Sequence, residues 1–420
     1  MSNTQQYEER LKRVEDAIAL KEPDALPMAV RVSGAPYFLY EDIGASHSTD
    51  FYDFAKSAEA FIRYHEEFKP DVRSTLHNHT DGKTNEIAEP KMIDWPGRPG
   101  SAVPAHSTFQ VLEEECMLQE EYDEMTDNYT DFIMKKFIPR AFPKFKAFEN
   151  FSFDLAVMIG PSAFSHLLKN DVKTMLLEFI KMIDTHEVFK EDCASLDNKL
   201  DEMGYPPLTT GGCLVPYDFI SDHFRGVMGI FEDLIEVPDK ILRACNMIAD
   251  RQIAALSYLE RAPMRIKRVF FPLHKGMDGF MSPKEYHELY WEPYQRVLKY
   301  LVGIGATPFI YTEGPYASRV DYIRERLQEL PKGTCVIHFE QGDFADLKKK
   351  FEGIACLTGG MPLYDLEYGK KEDVVDRVKY IVDNCAAGGG YMLNGGASFE
   401  KVKRENFEAM FETARTYGKK

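Results

Sequence analysis

Long apolar runs are missing from this chain of 420 residues. Nowhere do about 18 apolar residues run uninterrupted, the length that a membrane-spanning helix needs. The amino-terminal stretch MSNTQQYEERLKRVEDAIAL also has no apolar core of a secretory leader, so a cytoplasmic protein is expected. Paired cysteines are missing too. The seven cysteines, Cys116, Cys193, Cys213, Cys245, Cys335, Cys356 and Cys385, are odd in number, scattered and without a CxxC, which excludes a disulfide framework and a thiolate metal cluster and suits buried thiols. Basic runs are absent as well. With 51 basic against 68 acidic residues and a net charge of -17, the chain is ill suited to nucleic acid or an anionic membrane and better suited to small molecules or proteins. Nor is there an internal repeat or a low-complexity linker, so residues 1–420 are expected to form a single domain.

What is present is core material and a recurring cadence. The 29 Phe and 22 Tyr, with 44% hydrophobic residues, exclude a disordered chain and are enough for a full core. In the last third, TPFIYTEG, TCVIHFEQGD, IACLTGG and GGYMLNGGAS are short apolar runs, each ending in a polar or glycine cluster before a helical stretch. Strands alternating with helices predict a parallel sheet, and a β/α barrel gathers its chemistry at the carboxyl ends of its strands. Tyr311, Glu313, His338, Asp343, Gly360 and Gly396 are therefore the first residues to consider.

The rest of the chain extends this pattern. Tyr7, Leu11, Val14 and Ile18 at helical spacing predict a first helix over 5–21, ended by Pro23 and Pro27. Strands are expected at Met28–Val32, Asp71–Leu76, Leu208–Leu214 and Ile266–Leu273, which with the four above make eight. A helix is expected over 52–67. Ile323, Leu327 and Leu330 stop at Pro331, and Val374, Val378, Ile381 and Val382 stop at Gly388–Gly390, as helix faces do. The expected fold class is α/β, a (β/α)8 TIM barrel with a long insertion after the second strand. That insertion, residues 80–205, is expected to be mostly helical and to act as a lid, with a Pro- and Gly-rich loop (WPGRPG) near its start. The Phe153–Ile159 run inside it fits neither helix nor strand clearly.

Each candidate has a plain reading beside its functional one. Glu313 is either a strand-end acid or a partner of Arg319. Tyr316 and Arg319 belong either to the pocket or to a solvated helix start, and Asp278 in GMDGF suits a turn as well as a pocket. His274 follows an apolar strand, and His338 alternates with Ile337 and Phe339, so each points either into the mouth or into the core. Gly359, Gly360, Gly395 and Gly396 let a large ligand approach the backbone, yet glycines are common in such turns. Trp95, His106 and Gln110 are lid candidates. His77 and His79 lie at i and i+2 on a strand end and form a substrate-binding or metal pair. With His274, His338 and Asp343 they would make a metal-dependent barrel hydrolase.

The segments RVEDAIALKEPDALPM, TTGGCLVPYDFISDHFRG and HKGMDGFMSPKEYHELYWEPYQRVL followed by TPFIYTEG resemble the uroporphyrinogen decarboxylase superfamily. The resemblance covers most of the chain and is weakest over 80–200. It implies a (β/α)8 barrel and one of two activities: cofactor-free decarboxylation of uroporphyrinogen, or zinc-assisted methyl transfer involving a corrinoid. Decarboxylases carry an arginine-rich segment after the first strand, where this chain has MAVRVSGAPYF with only Arg31. Their essential aspartate falls near Asn78. The methyltransferase branch is implied instead, although its His-x-Cys corresponds here to Tyr311-Thr312-Glu313 and its later Cys to the Gly395-Gly396 turn.

The expected function is therefore a corrinoid-dependent methyltransferase of the O-demethylase type. It would take the methyl group of a small methylated donor and pass it to a corrinoid carried by a partner protein. Glu313, Tyr311 and His274 are the expected catalytic residues; His77, His79, Trp95, Asp278, Tyr316, Arg319, His338, Gly360 and Gly396 are expected to bind substrate. Two chemistries stay open, a zinc held by Glu313 and His274, and metal-free protonation of the leaving oxygen. The alternatives are a decarboxylase, the His77/His79 hydrolase, and a non-catalytic barrel that binds a tetrapyrrole or a partner. A homodimer is compatible with a helical exterior.

Overall fold

The computed structural model describes residues 2–74, 80–151, 167, 169–395 and 399–419. Two short antiparallel strands, β1 (Ile93–Asp94) and β2 (Gln110–Val111), pair within the expected insertion. The main sheet has six strands in sequence order: β3 (Gly211–Gly212), β4 (Arg268–Leu273), β5 (Thr307–Thr312), β6 (Val336–Phe339), β7 (Cys356–Gly360) and β8 (Tyr391–Asn394). All five pairings are parallel. Helices follow each strand from β3 to β8, as parallel connections require. The four carboxyl-terminal strands match the four apolar runs of the sequence.

The strand expected at Ile266–Leu273 forms as β4, whereas those expected at Met28–Val32, Asp71–Leu76 and Leu208–Leu214 are reduced to single bridges or to two residues. Met28 bridges Leu393 of β8, and Arg73 bridges Pro207. Around them Ala29 N–H donates to Leu393 O (3.0 Å), Asp71 N–H to Met28 O (3.0 Å), Arg73 N–H to Pro206 O (2.8 Å) and Thr210 N–H to Arg268 O (2.8 Å). The segments at 27–29 and 71–73 thus prolong the pairing beyond β8 and β3. Extended ladders do not form there because each segment is short and flanked by Pro23, Pro27, Pro70, Pro206 or Pro207, which give no backbone donor.

Register sorts the side chains onto two faces. Phe309, Tyr311, Val336, Cys356 and Met392 form one buried cluster with Val14, Ala17 and Ile18 of the first helix, α1 (Asn3–Ile18). Alternate residues, including Ile310, Ile337, Leu357, Tyr391 and Leu393, pack into the main core, which takes in buried residues of the surrounding helices. Both faces of the sheet are therefore covered, which is why β6 and β8 are buried at every position. The first helix lies against the face that carries Phe309, Val336 and Cys356, capped by Ser2, whose side chain accepts from Gln5 N–H.

The expected helices appear with small boundary shifts: 5–21 becomes Asn3–Ile18, and 52–67 becomes Phe54–Phe68, started by Asp53 and ended at Lys69 with φ 45°. Within 80–205 short helices run from Gln119 to Asn150, and a helix of 33 residues covers Asn170–Glu202. The Phe153–Ile159 run, His77, Asn78, His79 and Gly396 lie outside the described residues. All seven cysteines are free thiols, five of them buried. Among the described residues no helix is long and apolar enough to cross a membrane.

Candidate active site

The carboxyl ends of β4 and β5 end in register, Leu273 opposite Thr312, so the residues that follow them, His274 and Glu313, emerge side by side. His274 Nε2 lies 3.6 Å from Glu313 Oε2. Glu313 keeps 43% of its side chain accessible and His274 27%, so the pair meets solvent at the strand tips. Two buried aspartates hold it from behind. Asp218, on the helix Pro216–Ile220, accepts the backbone N–H of His274 and of Lys275 (both 2.9 Å) and the Tyr290 hydroxyl (2.7 Å). One turn later Asp222 accepts from His274 Nδ1 at 2.5 Å and lies 3.3 Å from Lys275 Nζ. Lys275 Nζ also donates to Glu113 Oε1 (2.7 Å), which reaches the site from just after β2.

These contacts set the charges. Burial pushes the His274 imidazole down, but the Asp222 hydrogen bond and the charges of Asp218, Asp222 and Glu313 outweigh it, raising it to about 9. His274 is therefore an imidazolium at neutral pH. Burial opposes ionisation of Asp222, yet His274 and Lys275 hold it below the usual carboxylate range. Asp218 is pushed the other way, by burial and by its neighbour Asp222. Glu313 is also raised, by burial first and then by Glu340, with His274 and Arg31 pulling against them.

One step down the strands lies a second layer. Tyr311 and His338, opposite each other on β5 and β6, stack with ring centroids 4.1 Å apart and planes within 5°. The Tyr311 hydroxyl donates to Glu340 Oε1 at 3.4 Å, and Glu340 Oε2 accepts the Gly314 N–H at 2.8 Å. Burial lifts the Tyr311 hydroxyl well above its ordinary range, so it stays a phenol. The Arg31 guanidinium sits 4.2 Å over the Phe270 ring. Burial, with help from Arg31, drives His338 down to about 3, so its imidazole is neutral.

The structure thus brings together Glu313, Tyr311, His274 and His338. Tyr316 stands beside them, buried, its hydroxyl donating to Leu273 O (2.9 Å). The remaining candidates are placed elsewhere. Asp278 accepts from the Ser318 backbone (3.1 Å) and hydroxyl (2.6 Å) and fixes a turn. Arg319 donates to Met281 O and covers the Tyr286 ring, so it does not pair with Glu313. Trp95 is fully buried in a small cluster with Phe51 and Ile93, its indole N–H on the Tyr52 hydroxyl (3.0 Å). His106 lines a separate cavity of about 270 Å³ with Tyr37 and Glu400, and Gln110 is exposed on β2. Asp343 is an exposed helix cap that accepts Ala345 N–H and the Tyr380 hydroxyl. Gly360 has φ +96°, and a Cβ there would lie 2.8 Å from the Tyr391 hydroxyl. A larger cavity, about 390 Å³, lies between Asp50–Phe54 and the helix Asn170–Glu202; neither Glu313 nor His274 lines it.

A catalytic zinc takes three protein ligands and keeps a fourth position open. Among the described residues no group of three or more His, Cys, Asp or Glu is arranged to hold a metal ion. His274 and Glu313 supply two donors, and the His-x-Cys positions are Tyr311 and Glu313, with no thiolate. These residues do not fit zinc. Sequence reasoning missed Asp218, Asp222, Lys275, Glu113 and Glu340. The signal for the aspartates was their i, i+4 spacing in PYDFISDHF, which places two carboxylates on one helix face.

No protein-family profile matches the chain. No curated protein matches it. Among solved structures, the chain is similar to a methyltransferase from Methanosarcina mazei, with a TM-score of 0.60 and 13% identity, covering 96% of this chain and 98% of that one. At this identity the likeness is one of fold, a mixed α/β architecture over the full length of both chains.

Proposed function

We propose that this protein is a methyltransferase that takes the methyl group of a small O-methylated donor and delivers it to a corrinoid carried by a separate protein docked over the strand tips. The observation that carries the reading is the His274 ring, held at Nδ1 by Asp222 and set beside Glu313 at the carboxyl ends of β4 and β5. Support also comes from the fold shared with the Methanosarcina mazei methyltransferase and from the segments that resemble the uroporphyrinogen decarboxylase superfamily. The bonds that prolong the sheet at Met28 and Arg73 support closure of the eight segments into a (β/α)8 barrel with this pair at its mouth.

In this reading the corrinoid, carried by the partner as the methyl acceptor, would supply the electron pair that takes the methyl group as the donor's methyl–oxygen bond breaks. The chain's own residues manage the oxygen left behind. That oxygen departs with an electron pair and needs a proton, and the Nε2–H of His274 is the acidic proton closest to the mouth. An imidazolium with a pKa of about 9 is well matched to an alkoxide or phenolate leaving group. Asp222 keeps the ring oriented from Nδ1, and Asp218 fixes the backbone beneath it. Glu313 stabilises the imidazolium before transfer and hydrogen-bonds the product hydroxyl afterwards. Tyr311 and Tyr316 wall the site with rings that stay uncharged.

The test is methylation of cob(I)alamin followed by its absorbance, with a panel of O-methyl donors and with wild type, His274→Gln and Glu313→Gln. Wild type is expected to methylate, His274→Gln to lose on the order of 100-fold or more, as loss of a positioned acid does, and Glu313→Gln to lose less. A His274→Gln rate equal to wild type sinks the acid assignment, and no methylation from any donor sinks the methyltransferase reading.

A further inference from the structure

Away from the strand tips, the cavity of about 390 Å³ opens between the helix Thr49–Tyr52, the start of Phe54–Phe68, the residues around Asp81 and the helix Asn170–Glu202. Its volume is in the range of small-molecule pockets. Two buried carboxylates line it, Asp50 and Asp81, each 4% exposed. They are provided for differently. Asp81 faces His186 Nδ1 (2.8 Å) and accepts the Thr84 N–H (3.1 Å). Asp50 accepts the Tyr40 hydroxyl (2.6 Å), but among the described residues no Lys, Arg or His nitrogen lies within 4.0 Å of it. The charge of His47 acts on it from farther off, and the two ring nitrogens of His47 are turned to the carbonyl oxygens of His106 (2.7 Å) and Ala35 (3.1 Å). Burial pushes the Asp50 carboxyl up, against the pull of His47 and of the Tyr40 and Ser57 hydroxyls. A carboxylate taken out of water is normally paired with a cation.

The rest of the lining says which kind of cation suits. Lys181, Asp184, Val188 and Asp192 share one face of the long helix, and among the described residues neither Asp184 nor Asp192 has an ion-pair partner. Lys83 and Lys181 are exposed, and four carboxylates against these two ammonium groups leave the lining negative. Phe54 and Phe189 meet edge to face with centroids 6.3 Å apart, and Val188 is left 59% exposed. Aromatic faces attract a cation, and an aliphatic wall covers an alkyl chain. A metal ion does not suit, because among the described residues no three His, Cys, Asp or Glu converge on one point. An ammonium group with an alkyl tail does: its N–H groups donate to carboxylate oxygens, and its tail covers apolar surface.

We propose that this cavity is a second binding site, for a small alkylammonium ion whose N–H groups meet Asp50 and whose chain lies against Phe54, Val188 and Phe189. It shares no lining residue with the Glu313–His274 pair, so it goes beyond the methyl-transfer reading and does not depend on it. Occupancy ties the helix Asn170–Glu202 to the segments at Asp50 and Phe54, and bound ligand is expected to raise the Tm.

The experiment is calorimetric titration of the full chain with n-butylammonium, 1-butanol and butanoate, on wild type, Asp50→Asn and the double variant Asp184→Asn/Asp192→Asn. Wild type is expected to bind n-butylammonium saturably, and at least about tenfold more tightly than 1-butanol or butanoate. Asp50→Asn keeps an oxygen for the Tyr40 hydroxyl and should lose at least about tenfold of that affinity; the double variant should lose less. Asp184 and Asp192 are on the accessible side of their helix, so if Asp50→Asn fails to fold, the double variant decides. No saturable binding, equal binding of 1-butanol, tighter binding of butanoate, or an n-butylammonium affinity unchanged in the deciding variant overturns the site. Methyl transfer to cob(I)alamin, present or absent, leaves this result as it is.

Discussion

His274 and His338 stand on strands separated only by β5, and their surroundings drive them in opposite directions. For His274 the folded value, about 9, lies above the unfolded value, near 6.5. Its contribution to stability is fully present below pH 6.5 and is lost as pH rises through 9. The same group sets the alkaline limb of the proposed reaction, because the acid form disappears there. Asp222→Asn should move that limb down toward the ordinary histidine range while leaving KM for the donor unchanged, as a pH–rate profile would show; a limb still near 9 would separate Asp222 from the acid. His338 is the reverse case. Buried and neutral, it titrates near 3, so the unfolded chain binds a proton below pH 6.5 that the folded chain does not. Stability is lost as pH falls below 6.5, by roughly 2–3 kcal/mol at about pH 4.5. His338→Phe retains an aromatic ring to stack on Tyr311 and should show a smaller drop in Tm between neutral pH and about pH 4.5 than wild type. An equal drop would mean that other buried groups, such as His65, carry the acid sensitivity.

At the scale of elements, glycine conformation decides how β7 fits between its neighbours. Gly360 combines φ +96° with a Cβ position close to the Tyr391 hydroxyl and Ile381. Gly360→Ala should cost about 1–3 kcal/mol in urea unfolding, the usual penalty for a side chain in that backbone region. A neutral result would show that β7 relaxes. The four carboxyl-terminal strands are legible because each is a short apolar run stopped by polar or glycine residues, and Glu313 is legible because it is the first residue past such a run. His338 is found by alternation for the same reason. The strands expected around Met28 and Asp71 are less legible, since their pairing depends on bonds to β8 and to Pro206, far away in sequence. Asp218 and Asp222 are hidden by a different cause. They belong to a helix, and a search confined to strand tips passes over a helix that leans back across them.

For the whole molecule, the decisive question is whether pairing runs all the way round. If it does, the amides of Ala29, Asp71 and Arg73 should exchange with solvent as slowly as those of β5 and β6, although they belong to no long strand. Hydrogen exchange read residue by residue measures this, and fast exchange at all three would leave the sheet open between β8 and β3. Elemental analysis gives a second check at the same scale: no stoichiometric zinc is expected in wild type or in Glu313→Gln. One zinc per chain would require ligands additional to His274 and Glu313. The packing of α1 against Phe309, Val336 and Cys356 carries a further consequence. If the sheet closes, α1 stoppers one end and leaves a single doorway at the strand tips, and whatever docks there shuts in what went before it. Under the proposed methyl transfer, turnover would then be a queue: the donor enters first, the methyl acceptor arrives and departs, and the demethylated product leaves last. Product inhibition should be competitive toward the donor and mixed toward the acceptor.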